Sequence, residues 1–534
     1  MRGYRKLRSA GRLGCFLEVK DRMAQVSPQP INASHRQFFF GAAVPHGDCV
    51  LVQYLLQRFA GLEFNRCIAA SGNESQYISL PLPRAWRDIL RESGVSVAEC
   101  KSRLKWILEV LKQLIRGALI SAHLIRRSWA INYSCKETRA FFHNTSPHNL
   151  PPERPTDPAS RNIFSWYARR SERPKDTCVF EHDVRGAAPR KILNCHIRSG
   201  EPIPLPSTAA GRLAFLEWVA KAILLAVFDL MRGQWVTTVM LGECAKAACV
   251  RFAEPDTLPA INFFDNSSWL YRPLWTYDAV QRCCDIVFYF YSTNILSFRC
   301  KGARASQANN WQLATWPTYY VWTQQQRNFI SRHVWKYSRI EVVGEIDYTN
   351  TTNVPSDIEP GFLALFDVQP VRDAFYQQLG APVEYYVIKV ALQFLEDISD
   401  TAKHHCLPIV YKMKRDIGRQ LHRRYRAALQ KLEANSDFRI IDASSDIFQL
   451  AQLSGLGIAM PFTSAAHWVR KAGRPVCFYD PTERLVADDE ASHGIDFVAG
   501  KAALRLWIER NLQKQSTSHQ QLASSALNPT KLEK

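Results

Sequence analysis

The sequence predicts an α/β protein: two doubly wound, Rossmann-like domains facing a cleft, behind a mainly helical N-terminal extension. Three observations lead there. The chain has 534 residues, too many for one hydrophobic core and enough for two or three domains. Hydrophobic residues make up 46% and charged residues 22%, which excludes fibrous or wholly disordered classes. Beyond residue 159 short apolar runs alternate with helical patterns, the signature of a mainly parallel sheet covered by helices.

Residues 1–142 form the helical region. Its clearest element lies within 101–127, where Leu104, Ile107, Leu108, Leu111, Leu114, Ile115, Leu119 and Ala122 recur at three- and four-residue steps. They form one apolar stripe with Lys105, Lys112 and Arg116 beside it. The first reading puts that stripe in the core; a second rests the helix on anionic lipid headgroups. The stretch HNTSPHNLPPERPTDP, residues 143–158, reads as a surface linker.

Residues 159–348 read as one α/β domain. Its strands are expected at Thr177–Phe180, Lys191–Cys195, Ile261–Phe264, Ile286–Tyr291, Tyr319–Trp322 and Glu341–Val343, with a helix near 211–232. That helix carries Glu217, Lys221 and Asp229, too many charges for a membrane span. Residues 349–512 give a second α/β domain. Strands at Phe362–Phe366, Pro408–Tyr411, Phe438–Ile441, Gly457–Met460 and Val476–Tyr479 alternate with helices near 383–404, 417–433, 445–453, Ser464–Ala472 and 501–512. The Ser/Gln/Lys-rich tail, 513–534, reads as disordered.

Charge narrows the function classes. Lys and Arg total 68 against 49 Asp and Glu, a net +19. Segments 1–20, 101–127 and 412–431 together hold +18 of it. Such clustering points to local anionic partners. Nucleic acid is not among them, since no zinc finger, RNP-type segment or aromatic-interleaved basic tract occurs. Fourteen cysteines without a CxxC suit a reducing cytoplasm better than a disulfide scaffold. The basic start lacks the apolar core of a secretory signal.

Two segments carry chemistry. Strand Gly457–Met460 runs into Pro461-Phe462-Thr463-Ser464 and then a helix. Strand Pro408–Tyr411 runs into Lys412-Met413-Lys414-Arg415. Hydroxyls and a helix start on one side, cations on the other, suit a diphosphate held where parallel strands end. Asp480, at the end of the last strand, is placed for donor hydroxyls or for a turn. In the first domain Asn266, Ser267, Ser292, Thr293 and Asn294 follow strand ends and suit a sugar acceptor. Asp265, His182 and Asp183 are the candidates for a general base. No DxD occurs, so no metal is expected, and His404-His405 reads as a helix end.

The stretch MPFTSAAHWVRKAGRPVCFYDP (460–481), with PIVYKMKR, GFLALFDVQP and SSWLYRPLWTYDAV, resembles the bacterial surface-polysaccharide biosynthesis proteins named for a PFTS motif. The resemblance spans roughly 160–512. It implies a GT-B-like glycosyltransferase for capsule, O-antigen or a lipid-linked precursor, with nucleotide sugar as co-substrate and no cofactor. Lys412, Lys414, Arg415, Thr463 and Ser464 would then hold the donor. A lipid-linked acceptor would place the protein in the cytoplasm, at the inner face of the inner membrane. Alternatives are a non-catalytic glycan- or nucleotide-binding assembly protein, or a transferase of a polyol phosphate on the same fold.

Overall fold

The computed structural model describes residues 13–70, 77–130, 138–151, 162–170, 178–266, 271–293, 298–301, 311–346, 352–371, 385, 387–461, 463–487 and 490–526. Six helices come first: α1 (Leu13–Gln25), α2 (Ala33–Phe40), α3 (Gly47–Phe59), α4 (Leu62–Ala70), α5 (Arg84–Glu92) and α6 (Glu99–Ala130). The first sheet then begins inside the region read as helical, with β1 (Thr138–His143). There follow α7 (Ile163–Arg170), β2 (Cys178–His182), β3 (Arg190–Ile192), β4 (Cys195–Ser199), α8 (Ala209–Met231), α9 (Val236–Phe252), β5 (Ile261–Asp265), α10 (Trp275–Gln281), β6 (Asp285–Tyr289), β7 (Thr318–Val321), α11 (Gln324–His333) and β8 (Arg339–Val342). Its order is β3-β4-β2-β1-β5-β6-β7-β8, parallel except for the β3 edge.

Three elements depart from expectation for physical reasons. TRAFFH of β1 sits between strands on both sides and beside the polar stretch, so no alternation marks it. The single strand expected at Lys191–Cys195 is a hairpin, because Leu193 turns the chain at φ +50°. Helix α9 was not foreseen: it is buried almost all round, so no 3.6-residue period shows.

The second sheet contains β9 (Leu363–Phe366), α12 (Ile388–His404), β10 (Ile409–Lys412), α13 (Arg423–Glu433), β11 (Phe438–Ile441), α14 (Ile447–Leu453), β12 (Leu456–Ala459), α15 (Ala465–Lys471), β13 (Val476–Asp480), β14 (Asp496–Ala499) and α16 (Lys501–Ala526). All six strands are parallel in the order β11-β10-β9-β12-β13-β14. That is the 3-2-1-4-5-6 order of a Rossmann sheet. The sixth strand, DFVA, is too short and half-polar to read from sequence. The last helix runs on to Ala526, well past residue 512, so most of the segment read as a disordered tail is helical.

Each chain path reverses beside its first strand, between β1 and β5 and between β9 and β12. Helices α6, α8 and α9 cover one face of the first sheet together with α1–α5. Helix α7 and an aromatic cluster, Phe142, Phe164, Phe180, Phe263 and Tyr320, cover the other. The two lobes are joined on one side. Thr323 Oγ1 lies 2.9 Å from His493 Nδ1, and Lys301 N donates to Arg484 O at 2.7 Å.

Candidate active site

Four neighbouring strands of the second sheet end along one edge, because Lys412, Phe366, Ile441 and Ala459 are in register. Their successors therefore converge: Asp367 after β9, Lys412–Arg415 at β10, Ser445 and Asp446 after β11, Thr463 and Ser464 after β12. They line one cavity of about 490 Å³ between the lobes, closed opposite by Tyr291, Ser292, Trp322 and Ile346. That volume is in the range of a small-molecule site, and it lies at the β9–β12 switch point.

The cations are held rather than loose. Lys412 Nζ donates to Ala443 O at 2.6 Å, and the Arg415 backbone N–H donates to Gln369 Oε1 at 2.9 Å. Burial pushes both Lys412 and Lys414 down to about 8, with Asp442 and Asp446 opposing at Lys412. At Lys414 the adjacent Arg415 adds to the fall and Asp367 opposes it. Burial lifts Asp367 to about 6 against the Tyr425 hydroxyl, which donates to it, and the charge of Lys414. The cavity thus concentrates positive charge that its own carboxylates only partly offset.

The PFTS turn contributes hydroxyls more than a dipole. Helix α15 has only seven residues, and Ser464 makes no side-chain capping bond. Phe462 lies outside the described residues. The next residues seal the lobes: His467 Nε2 is 3.4 Å from Thr293 Oγ1, and Trp322 meets the His467 and Trp468 rings edge-on at 6.0 Å. Arg470 Nη2 donates to His467 Nδ1 at 3.2 Å, which leaves the His467 proton on Nε2 toward Thr293. Burial keeps His467 neutral.

The residues singled out from sequence are distributed unevenly. Lys412, Lys414, Arg415, Thr463, Ser464 and Ser292 line the cavity. Thr293 is spent on His467, and Asn266 Oδ1 accepts from Tyr291 N at 3.4 Å. Ser267 and Asn294 lie outside the described residues. Asp480 does not reach the donor side: it is buried and accepts from Tyr385, Thr482 and Leu485, so its carboxylate serves the turn.

Asp265, His182 and Asp183 gather at the switch point of the first sheet, outside the cavity lining. Burial drives His182 down to about 4, and its Nδ1 accepts from Val184 N. Asp183 accepts from Asn144 N and Thr145 N at 2.6 and 3.0 Å, a tie across the end of β1. Asp265 differs. Tyr291, on the cavity wall, has its hydroxyl pKa raised by burial and by the charge of Asp265 and lowered by that of Arg415, so it feels a carboxylate of one lobe and a cation of the other. Sequence reasoning missed Asp367, Asp446, Trp322 and Trp468. Only Asp367 carried a signal, a lone acid directly after an apolar strand. Of possible metal ligands, His404, His405 and Glu509 come together among the described residues, but Arg505 contacts His404 and none lines the cavity.

The sequence model for polysaccharide biosynthesis PFTS motif proteins matches residues 218–508. The chain belongs to that family. No curated protein matches it. Among solved structures, the UDP-GlcNAc 2-epimerase of Methanocaldococcus jannaschii is 13% identical, covering 70% of this chain and 92% of its own, at a TM-score of 0.32. HepE of Anabaena, in complex with UDP-glucose, is 10% identical over 71% and 90%, at 0.36. A UDP-glucosyltransferase from Polygonum tinctorium is 10% identical over 74% and 95%, at 0.34. Likenesses this distant transfer no residue and no activity to this PFTS family member.

Proposed function

We propose that the protein is a GT-B-type glycosyltransferase that moves a sugar from a nucleotide-sugar donor to a bacterial surface polysaccharide, capsule or O-antigen, or to its lipid-linked precursor. One observation carries the reading: Lys412, Lys414, Arg415, Thr463 and Ser464 line one wall of a single inter-lobe cavity together. In the reaction the acceptor hydroxyl oxygen attacks the anomeric carbon while the bond from that carbon to the phosphate oxygen breaks. Negative charge grows on the departing nucleoside diphosphate. The three cations are preplaced for it, in a site partly shielded from water, where such help is strong. No metal is required in this scheme, because the cations take the ion's part.

The aromatic walls, Tyr291, Trp322, Phe448 and Trp468, offer flat surfaces for a base and a sugar ring. Asp265, which ends β5 beside the strand leading to Tyr291 and lies outside the cavity lining, is the proposed proton acceptor for an acceptor hydroxyl bound on that side. The family description supports the polysaccharide side of the reading, and the site is proposed to work on the cytoplasmic side of the membrane. The test is calorimetry with a panel of nucleoside diphosphates, followed by transfer of labelled sugar with and without chelator. Failure of every nucleoside diphosphate to bind would overturn the proposal, and loss of transfer on chelation would overturn its metal-free form.

A further inference from the structure

The apolar stripe of the 101–127 segment does not enter the core. Leu104, Ile107, Leu108, Leu111, Ile115 and Leu119 of α6 all face solvent, with Ile115 and Leu119 at 62% and 65% exposure. The face packed inward carries Trp106, Val110 and Leu124 among small or polar residues, Ser102, Gln113, Gly117, Ser121 and Ser128. Helix α8 buries Phe215, Trp218, Val219, Ala222 and Ala226 and still exposes Leu213, Leu216, Leu224 and Met231, the last two at 71% and 75%.

The two helices lie side by side on buried α9 and run antiparallel. Ile107 and Leu111 share a cavity wall with Leu230, while at the other end the Arg212 guanidinium sits 5.5 Å over the Trp129 ring. Helix α6 alone is about 48 Å long at 1.5 Å per residue. Soluble monomers rarely leave a contiguous apolar face of this size uncovered.

The charges around that face are mainly positive, although Glu217 of α8 is exposed among its leucines. Helix α6 has seven basic and two acidic residues. Lys101, Lys105, Lys112 and Arg116 recur at helical spacing along one edge of the stripe. Beyond Ile107 and Leu111 a cavity of about 720 Å³ is lined by Arg84, Arg87, Arg91, Arg103 and Glu99 over Trp106 and Leu230, with Arg87 paired to Glu99 and Arg84 and Arg91 to Asp88.

We propose that the α6–α8 face is a docking surface for an anionic phospholipid bilayer. The leucines and isoleucines enter the acyl boundary, and the flanking lysines and arginines meet headgroup phosphates. A second copy fits less well, since a two-fold contact would set two cationic helices against each other. The attachment is peripheral. Among the described residues, the run long and apolar enough to cross a bilayer by length and composition is Ala33–Phe59, and 61% of its apolar window is buried inside the protein. No residue of the inter-lobe cavity lies on this face, so vesicle binding and nucleotide binding can fail separately.

The test is flotation of the full chain with phosphatidylcholine vesicles, alone or doped with phosphatidylglycerol. The chain is expected to float with the doped vesicles only, and less as salt rises. Lys112→Glu with Arg116→Glu should weaken partitioning at least about tenfold. Ile115→Asp with Leu119→Asp should abolish it with an unchanged thermal midpoint, because both side chains are already in water. Binding to neutral vesicles equal to that on doped ones overturns the proposal, as does no flotation or an unaffected aspartate variant. A concentration-dependent dimer dispersed by Ile115→Asp overturns it too, by naming a second copy as the occupant.

Discussion

Lys414→Met tests the site where its physics is most exposed. In the free protein Lys414 is charged at pH 7 although burial has pulled it from 10.5 to about 8. A drop of that size corresponds to about 3 kcal/mol of charge held against desolvation, and water reaching the half-buried side chain cuts this to on the order of 1–2 kcal/mol. Methionine keeps the packing and removes the charge. The ligand-free variant should therefore be as stable as the parent or slightly more so. Its affinity for a nucleoside diphosphate should fall by about 1.5–3 kcal/mol, the range of a charge-assisted hydrogen bond, or roughly tenfold to a hundredfold. Thermal denaturation of the free protein and calorimetry with the diphosphate read the two halves separately. Unchanged affinity would refute the reasoning, and so would a variant that loses stability while binding as before.

Three further outcomes concern the site's pH dependence, its proposed base and the packing of α6. From about pH 7 upward, nucleoside diphosphate affinity should hold until about 8 and then decline, because Lys412 and Lys414 lose their protons through about 8 in the free site. The linked stability has the opposite sign: the unfolded chain keeps those protons up to 10.5, so the strain of burying the two charges is relieved between about pH 8 and 10.5; calorimetry and melting across that window check both. Asp265→Asn should leave donor binding intact and lower turnover by about 10²–10⁴, as loss of a general base does; single-turnover transfer reads it. Gly117→Val should destabilise the fold by about 1–3 kcal/mol, since a Cβ there meets Leu241 at 2.8 Å, and urea unfolding measures it.

Much of the second domain was legible in the residues. Its parallel strands are short uninterrupted apolar runs, and cations or hydroxyls directly after such a run fall at a strand's carboxyl end whatever the details of packing. KMKR and PFTS could be paired on that ground. The pairing of side chains across the lobes was not legible. Trp322 and Trp468 look like any buried tryptophan until the two sheets are set face to face. Asp480 looks equally placed for a sugar and for a turn until Tyr385, Thr482 and Leu485 are seen to fill its carboxylate.

By itself, the order of residues determined that the chain makes two doubly wound sheets and that its positive charge gathers in a few places. Both follow from local pattern, since strand runs and charge clusters survive any arrangement of their neighbours. Only the tertiary structure decided which face of the 99–130 helix is inside. Hydropathy favours the leucine stripe, but close approach to a neighbouring helix favours small side chains. With Gly117 against Leu241 and Gly242 against Ile120, the backbones come near enough that the face with Gly117 and Ser121, together with Trp106, Val110 and Leu124, is buried and the stripe from Leu104 to Leu119 is left mostly outside.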